Sequence, residues 1–246
     1  MPLKDTDITG KAAPARWPAL IFDLDGTLVD SAPQITESLN YALSKVKRPS
    51  LDQATVISMI GDGVPTLTAR AFAATGGRNS KEETNAITEF HHHYQQTGHT
   101  SKAYPRVVET LEALHGAGYR LGLCTNKSMA GTELVLKTLG IAVFFSAVIA
   151  GDTLPTRKPH PEPLLEAIRQ LGYEARQAIY IGDGPVDVAT AKAASVRMIA
   201  VSYGYPRMPP EDLGADYLIN DMADLPALLA TLNNFRSNSQ APLGTA

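Results

Sequence analysis

Two aspartates one residue apart, Asp23 and Asp25, end a short apolar run in the segment ALIFDLDGT. At i and i+2 of an extended chain their side chains leave on the same side, and Gly26 lets the backbone turn closely around a bound group. A carboxylate held there can attack phosphorus as a covalent nucleophile. Its neighbour can protonate the leaving oxygen and then activate water. The same residues also make an ordinary Asp-Gly-Thr turn, so the pair gains its meaning from company.

That company lies further along the chain. A second apolar run ends at Thr125 and Asn126, where a hydroxyl, an amide and the N–H groups entering a helix can cradle phosphate oxygens; the alternative is a helix cap. Next comes Arg157-Lys158-Pro159-His160-Pro161-Glu162-Pro163, a loop stiffened by prolines. Lys158 there would be a fixed cation offsetting phosphoryl and carboxylate charge, with Arg157 and His160 supporting the loop. A fourth run ends in Gly182-Asp183-Gly184-Pro185-Val186-Asp187. Two more carboxylates beside Asp23 are costly without a cation, and hard oxygen donors with a phosphate oxygen point to Mg2+ rather than zinc. Asp187 also suits the start of a helix.

Four such groups work together only if one sheet presents them. Apolar runs at 19–23, 119–125, 147–151, 178–183, 198–202 and 217–220 read as strands, most of them continuous as for strands covered on both faces. Helical patterns at 107–118, 129–139, 161–171 and 187–194 alternate with them, which predicts a doubly wound α/β fold on a parallel sheet. Ligands of such sheets bind beyond the carboxyl ends of the strands. Residues 32–103 break the rhythm with helical patterns only, too long for a loop, and predict a helical insertion above the sheet as a lid. The core is then 18–31 with 104–235, flanked by loosely ordered segments at 1–17 and 236–246.

Composition removes several classes. The 246 residues carry 22 Lys+Arg against 25 Asp+Glu, a net charge of −3, which argues against a sequence-independent nucleic-acid or anionic-membrane binder. One cysteine makes no internal disulfide. No apolar stretch is long enough to span a bilayer, and the first residues lack the apolar core of a secretory signal. A cytoplasmic protein is the expectation.

With Asp23-Leu-Asp25-Gly-Thr, Thr125, Lys158 and the Asp183/Asp187 pair in this order, the chain resembles the haloacid dehalogenase-like phosphohydrolase superfamily, with a Rossmann-like core and a helical cap inserted after the first motif. Within it, FDLDGTLVDSAP, GDGVPTLTARAF, FHHHY, CTNK, RKPHPEPL and AVSYGY resemble the phosphoglycolate phosphatase group. The resemblance implies Asp23 as nucleophile, Asp25 as general acid/base and Lys158 as the catalytic cation. Gly26, Thr27, Thr125, Asn126 and Lys158 would bind substrate. Mg2+ would be held by the Asp23 carboxylate, the Asp25 carbonyl and Asp183, with Asp187 direct or through water. The implied activity is hydrolysis of a small phosphorylated metabolite, first of all 2-phosphoglycolate, by a monomer or homodimer. The alternatives are another sugar- or metabolite-phosphate phosphatase, a pyrophosphatase, a mutase of the β-phosphoglucomutase type, or a silent phospho-ligand binding module. Displacement of halide would give Asp25 and the metal ligands no role. Gly184 stands where the group often has Ser or Thr, and Arg106 and Ser195 where it often has glycine.

Other residues invite weaker readings. His91, His92 and His93 lie about 100° apart on a helix and do not converge on one ion, but one of them or Tyr94 can face the site from the lid. Cys124 reads as an inert core thiol, and Trp17 as core packing. Gly61-Asp62-Gly63 is a turn or a specificity loop. Arg70 reads as a helix-surface ion pair, with the substrate's carboxylate as the alternative partner.

Overall fold

A run that is apolar at every position must be covered on both faces, and these runs become the middle layer of a three-layer structure. A computed structural model describes residues 16–97, 100–205 and 207–234; most of the two terminal segments expected to be loosely ordered therefore lies outside the described residues. The strands are β1 (Ala19–Phe22), β4 (Arg120–Cys124), β5 (Phe145–Ile149), β6 (Ala178–Gly182), β7 (Arg197–Val201) and β8 (Tyr217–Ile219), with β2 (Val29–Asp30) and β3 (Lys102–Ala103) apart from them. The six form one sheet in the order β5-β4-β1-β6-β7-β8, every neighbouring pair parallel.

On one face pack α5 (Val107–Gly116), α6 (Met129–Thr138) and α9 (Leu225–Asn234), through Leu111, Val135 and Leu229 among others. On the other lie α7 (Glu162–Gln170) and α8 (Pro185–Ala194), through Leu164, Ile168 and Ala191. This is the doubly wound α/β arrangement expected. From β1 the chain reaches β4 and β5 on one side, then returns to β6 on the other side of β1. The strand order thus reverses around β1, which opens a crevice at its carboxyl end.

Between β2 and β3 come four helices: α1 (Ala32–Lys45), α2 (Gln53–Ile57), α3 (Val64–Ala74) and α4 (Ser80–Thr97). They bury a core of their own, with Leu39, Leu43, Phe72 and Phe90, into which Tyr205 of the sheet unit also packs. The antiparallel pairing of β2 with β3 brings entry and exit of this helical unit together. These two-residue strands escape a sequence reading because two residues show no period. Helix α9 escaped it too, as a short apolar stretch beside a polar tail. Among the described residues no helix is long and apolar enough to cross a membrane.

Candidate active site

Every residue singled out at a strand end comes to the same crevice. Asp23 follows β1, Thr125 and Asn126 follow β4, Lys158 lies on the loop after β5, and Asp183 follows β6. Oxygens of Asp23, Asp183 and Asp187 lie within 4.8 Å of one another. Glycines permit this crowding: Gly26, at φ +87°, leaves no room for a Cβ beside the Asp183 carboxylate, and a Cβ on Gly204 would meet Asp183 as well.

The Lys158 ammonium is almost fully buried, 2.9 Å from Asp23 Oδ1 and 2.7 Å from Asp187 Oδ1. It also donates to the Tyr180 hydroxyl at 2.8 Å, and Tyr180 in turn lies 2.8 Å from Asp187 Oδ1. Asp187 Oδ2 accepts from the N–H groups of Asp183 and Gly184. Both oxygens of Asp187 are thus taken, and a direct metal bond there would displace one of these donors. Bonded so, Asp187 fixes Lys158 and the turn after β6, and its carboxylate also belongs to the group of three that could hold a metal ion. Burial pushes the Asp23 carboxyl up to about 6 against the pull of Lys158, and burial with neighbouring carboxylates raises Asp183 well above the usual range.

Two other expected substrate contacts are differently engaged. The Thr27 hydroxyl donates to Asp183 Oδ1 at 3.0 Å, while Tyr205 N donates to Asp183 Oδ2, so the two orient that carboxylate. Asn126 donates from Nδ2 to the carbonyls of Gly61 and Lys158, at 3.0 and 3.1 Å, and accepts from Lys158 N at 3.1 Å. Its side chain ties the helical unit to the Lys158 loop. Thr125 keeps its place on the cavity wall.

Asp25 is held by residues the sequence did not single out. Its Oδ1 accepts from the Ser31 hydroxyl at 2.6 Å, and Lys127 Nζ lies 3.0 and 3.1 Å from its two oxygens. The Lys127 ammonium also sits 4.4 Å from the centre of the Tyr94 ring on α4, a favourable cation–π distance. Tyr205 accepts at its hydroxyl from the N–H groups of Ser31 and Ala32, at the start of α1. A buried tyrosine needs a polar partner, which is the signal Tyr180 gives in AIYIG; Ser31, Lys127 and Tyr205 stood only within the resembling segments FDLDGTLVDSAP, CTNK and AVSYGY.

The weaker readings also resolve. His91 and Tyr94 both line the cavity between the helical unit and the sheet. His93 faces away, stacked on Tyr41 and bonded to Ser38, and His92 is exposed beside Gln96. Arg70 pairs with Asp62 at 2.6 Å, and Arg207 reaches the same carboxylate at 3.2 Å. Cys124 is buried, its thiol pushed up to about 12.

A family model described as haloacid dehalogenase-like hydrolase matches residues 20–201. The chain belongs to that family. Among haloacid dehalogenase-like hydrolases it is similar to the phosphoglycolate phosphatase of Rhodospirillum rubrum, 45% identical over 84% of this chain and 88% of that protein. It is also similar to the phosphoglycolate phosphatase of Haemophilus influenzae, 37% identical over 85% and 96%. The crystal structure of a predicted phosphoglycolate phosphatase from Haemophilus somnus superposes with a TM-score of 0.82 at 32% identity, over 87% of this chain and 98% of that one. Within the family frame, the strand-end residues of this chain occupy the crevice expected to hold a phosphoryl group.

Proposed function

We propose that this family member is a Mg2+-dependent phosphatase that hydrolyses a small phosphate monoester through an aspartyl-phosphate on Asp23. Its substrate on this reading is 2-phosphoglycolate, cleaved to glycolate and phosphate. The observation that carries the reading is the carboxylate cluster with Lys158 locked beside Asp23. Such a cluster suits in-line displacement at phosphorus, and relatives of this length and identity bear the phosphoglycolate phosphatase name.

A divalent cation fits the donor set. Asp23, Asp25, Asp183 and Asp187 meet the ammonium groups of Lys127 and Lys158 in a largely buried site, and burial with neighbouring carboxylates raises Asp23 and Asp183, as for carboxylates short of positive charge. Asp23 Oδ1 is buried with the Lys158 ammonium 2.9 Å away and no other partner. Asp23, the Asp25 carbonyl and Asp183 would hold Mg2+, which when bound supplies charge neutralisation for the attacking carboxylate and a phosphate oxygen.

The chain's own groups supply the rest. Asp23 attacks phosphorus while Lys158, immobilised by Asp187 and Tyr180, offsets the developing charge. Asp25, aimed by Ser31 and Lys127, gives its proton to the ester oxygen and then takes one from the water that opens the aspartyl-phosphate. Thr125 and the N–H groups entering α6 face the transferred oxygens. The helical unit, acting as a cap, excludes bulk water during the first step.

The test is phosphate release from a panel of small phosphate esters, with and without Mg2+. Mg2+-dependent turnover led by 2-phosphoglycolate and abolished in Asp23→Asn is expected. Turnover that survives that substitution, or needs no divalent cation, would overturn the mechanism; a sugar phosphate in the lead would overturn the substrate.

A further inference from the structure

We infer that Lys127 is the specificity residue of this site, the cation that receives the carboxylate at the far end of the phosphoester. This inference rests on the reading above that the substrate carries such a carboxylate.

The cavity between the helical unit and the sheet is walled largely by apolar side chains, among them Ile35, Ile60, Val64, Leu67 and Phe90. A second anion entering it needs a partner there, because an unpaired carboxylate in such surroundings is strongly disfavoured. Among the described residues lining this cavity, Lys127 is the one lysine or arginine. Arg157 approaches Gly63 at its edge, and Arg207, its Nη2 buried without a partner, lines the adjoining cavity with Asp23 and Asp25. Lys158 is held between Asp23, Asp187 and Tyr180, and Arg70 and Arg207 share Asp62. His91 also faces the cavity, but burial disfavours its charged form and holds its imidazole below the ordinary value.

The place of Lys127 suits a short substrate. Its ammonium lies 3.0 and 3.1 Å from the oxygens of Asp25, the group that protonates the ester oxygen. In 2-phosphoglycolate the carboxylate carbon is two bonds beyond that oxygen. A cation hydrogen-bonded to the acid is therefore within reach of the substrate's other end, with no long arm required. The Tyr94 ring under the ammonium places part of the reader's setting on the helical unit, so the carboxylate is met only where cap and core are together. Three donor hydrogens let the ammonium keep Asp25 while receiving a second oxygen.

The experiment compares kcat/KM for 2-phosphoglycolate with that for ethyl phosphate, which has the same reacting bond and no carboxylate. It uses the wild-type protein, Lys127→Met, Lys127→Gln and the charge-preserving Lys127→Arg. Lys127→Met and Lys127→Gln are expected to slow both substrates through Asp25, but to lower the preference for 2-phosphoglycolate by about a hundredfold. Most of that drop should appear in KM, and Lys127→Arg should restore part of the preference. An equal loss on the two substrates would leave Lys127 as a support for Asp25 alone and overturn the inference. A wild-type protein that prefers 2-phosphoglycolate, with the preference kept in both neutral variants, would overturn this inference and leave the substrate reading standing. A wild-type protein with no preference would overturn both. Circular dichroism and urea unfolding of each variant separate loss of fold from loss of reading, and Lys127→Gln, nearer in shape and polarity, covers a failure of Lys127→Met to fold.

Discussion

Asn126 holds Gly61 across the cleft, its Nδ2 donating to the Gly61 carbonyl at 3.0 Å while its Oδ1 accepts from the N–H of Lys158. One amide thus joins the helical unit to the loop that carries the buried ammonium. Asn126→Ala leaves two carbonyls and an N–H without this partner, at about 1–3 kcal/mol for a buried group. We expect kcat/KM to fall by roughly tenfold to a hundredfold on the same scale, with kcat and KM both affected. Steady-state kinetics check this; unchanged kinetics would remove the strut from the mechanism.

Asp187 and Tyr180 both bond the buried Lys158 ammonium. Asp187→Asn takes a carboxylate from a buried ammonium, a loss worth about 3–5 kcal/mol of stability, whereas Tyr180→Phe removes hydrogen bonds to charged groups but leaves the ion pair, at about 2 kcal/mol. Urea unfolding should rank the two in that order. The reverse order would mean that the phenol, rather than the carboxylate, keeps Lys158 in place.

The carboxylate cluster makes stability depend on pH with a definite sign. Asp23 is raised to about 6 and Asp183 well above 3.8, so both bind protons more tightly folded than unfolded. Without a divalent cation their contribution is complete below the unfolded value and is lost as pH climbs through about 6 for Asp23, and higher for Asp183. Mg2+ competes for the same oxygens, so the rise in Tm that it produces should grow between about pH 5 and about pH 8. In Asp183→Asn most of that rise should vanish. A Mg2+ effect constant across the range, or intact in the variant, would place the ion elsewhere.

Ser195 ends α8 in the left-handed region, at φ +55°. A residue with a Cβ is strained there by about 1–2 kcal/mol, and glycine is not, though glycine loses more entropy on folding. Ser195→Gly should therefore raise stability by about 0.5 kcal/mol, read as a small increase in Tm. Arg106 shares this conformation, at φ +61°, but pairs with Asp221, so Arg106→Gly loses a contact as it relieves strain and should change stability less.

The parts of the site that were legible in the sequence are those written locally. Asp23-Leu-Asp25 ends an apolar run, and a run of that kind can only be a covered strand, so its aspartates had to emerge at a sheet edge. Lys158 among prolines and Asp183 after AIYIG follow from the same reasoning. Length and the absence of period-two patterning marked 32–103 as helical. The strand pairing of Val29–Asp30 with Lys102–Ala103 was not legible, because two residues carry no period and their partners lie more than 70 positions apart.

What the sequence by itself determined is therefore the set of reactive groups and the end of the sheet at which they gather, since strand direction and side-chain alternation are local consequences of apolar patterning. The tertiary structure alone decided which lone pairs are already occupied. Thr27 meets Asp183 across 156 positions, Lys127 meets Asp25 across 102, and Asn126 meets Gly61 across 65. Such pairings depend on how helices and loops pack around the crevice, and each leaves the local pattern unchanged. They show Thr27, Asn126 and Asp187 already bonded within the crevice, and they set Lys127 beside Asp25.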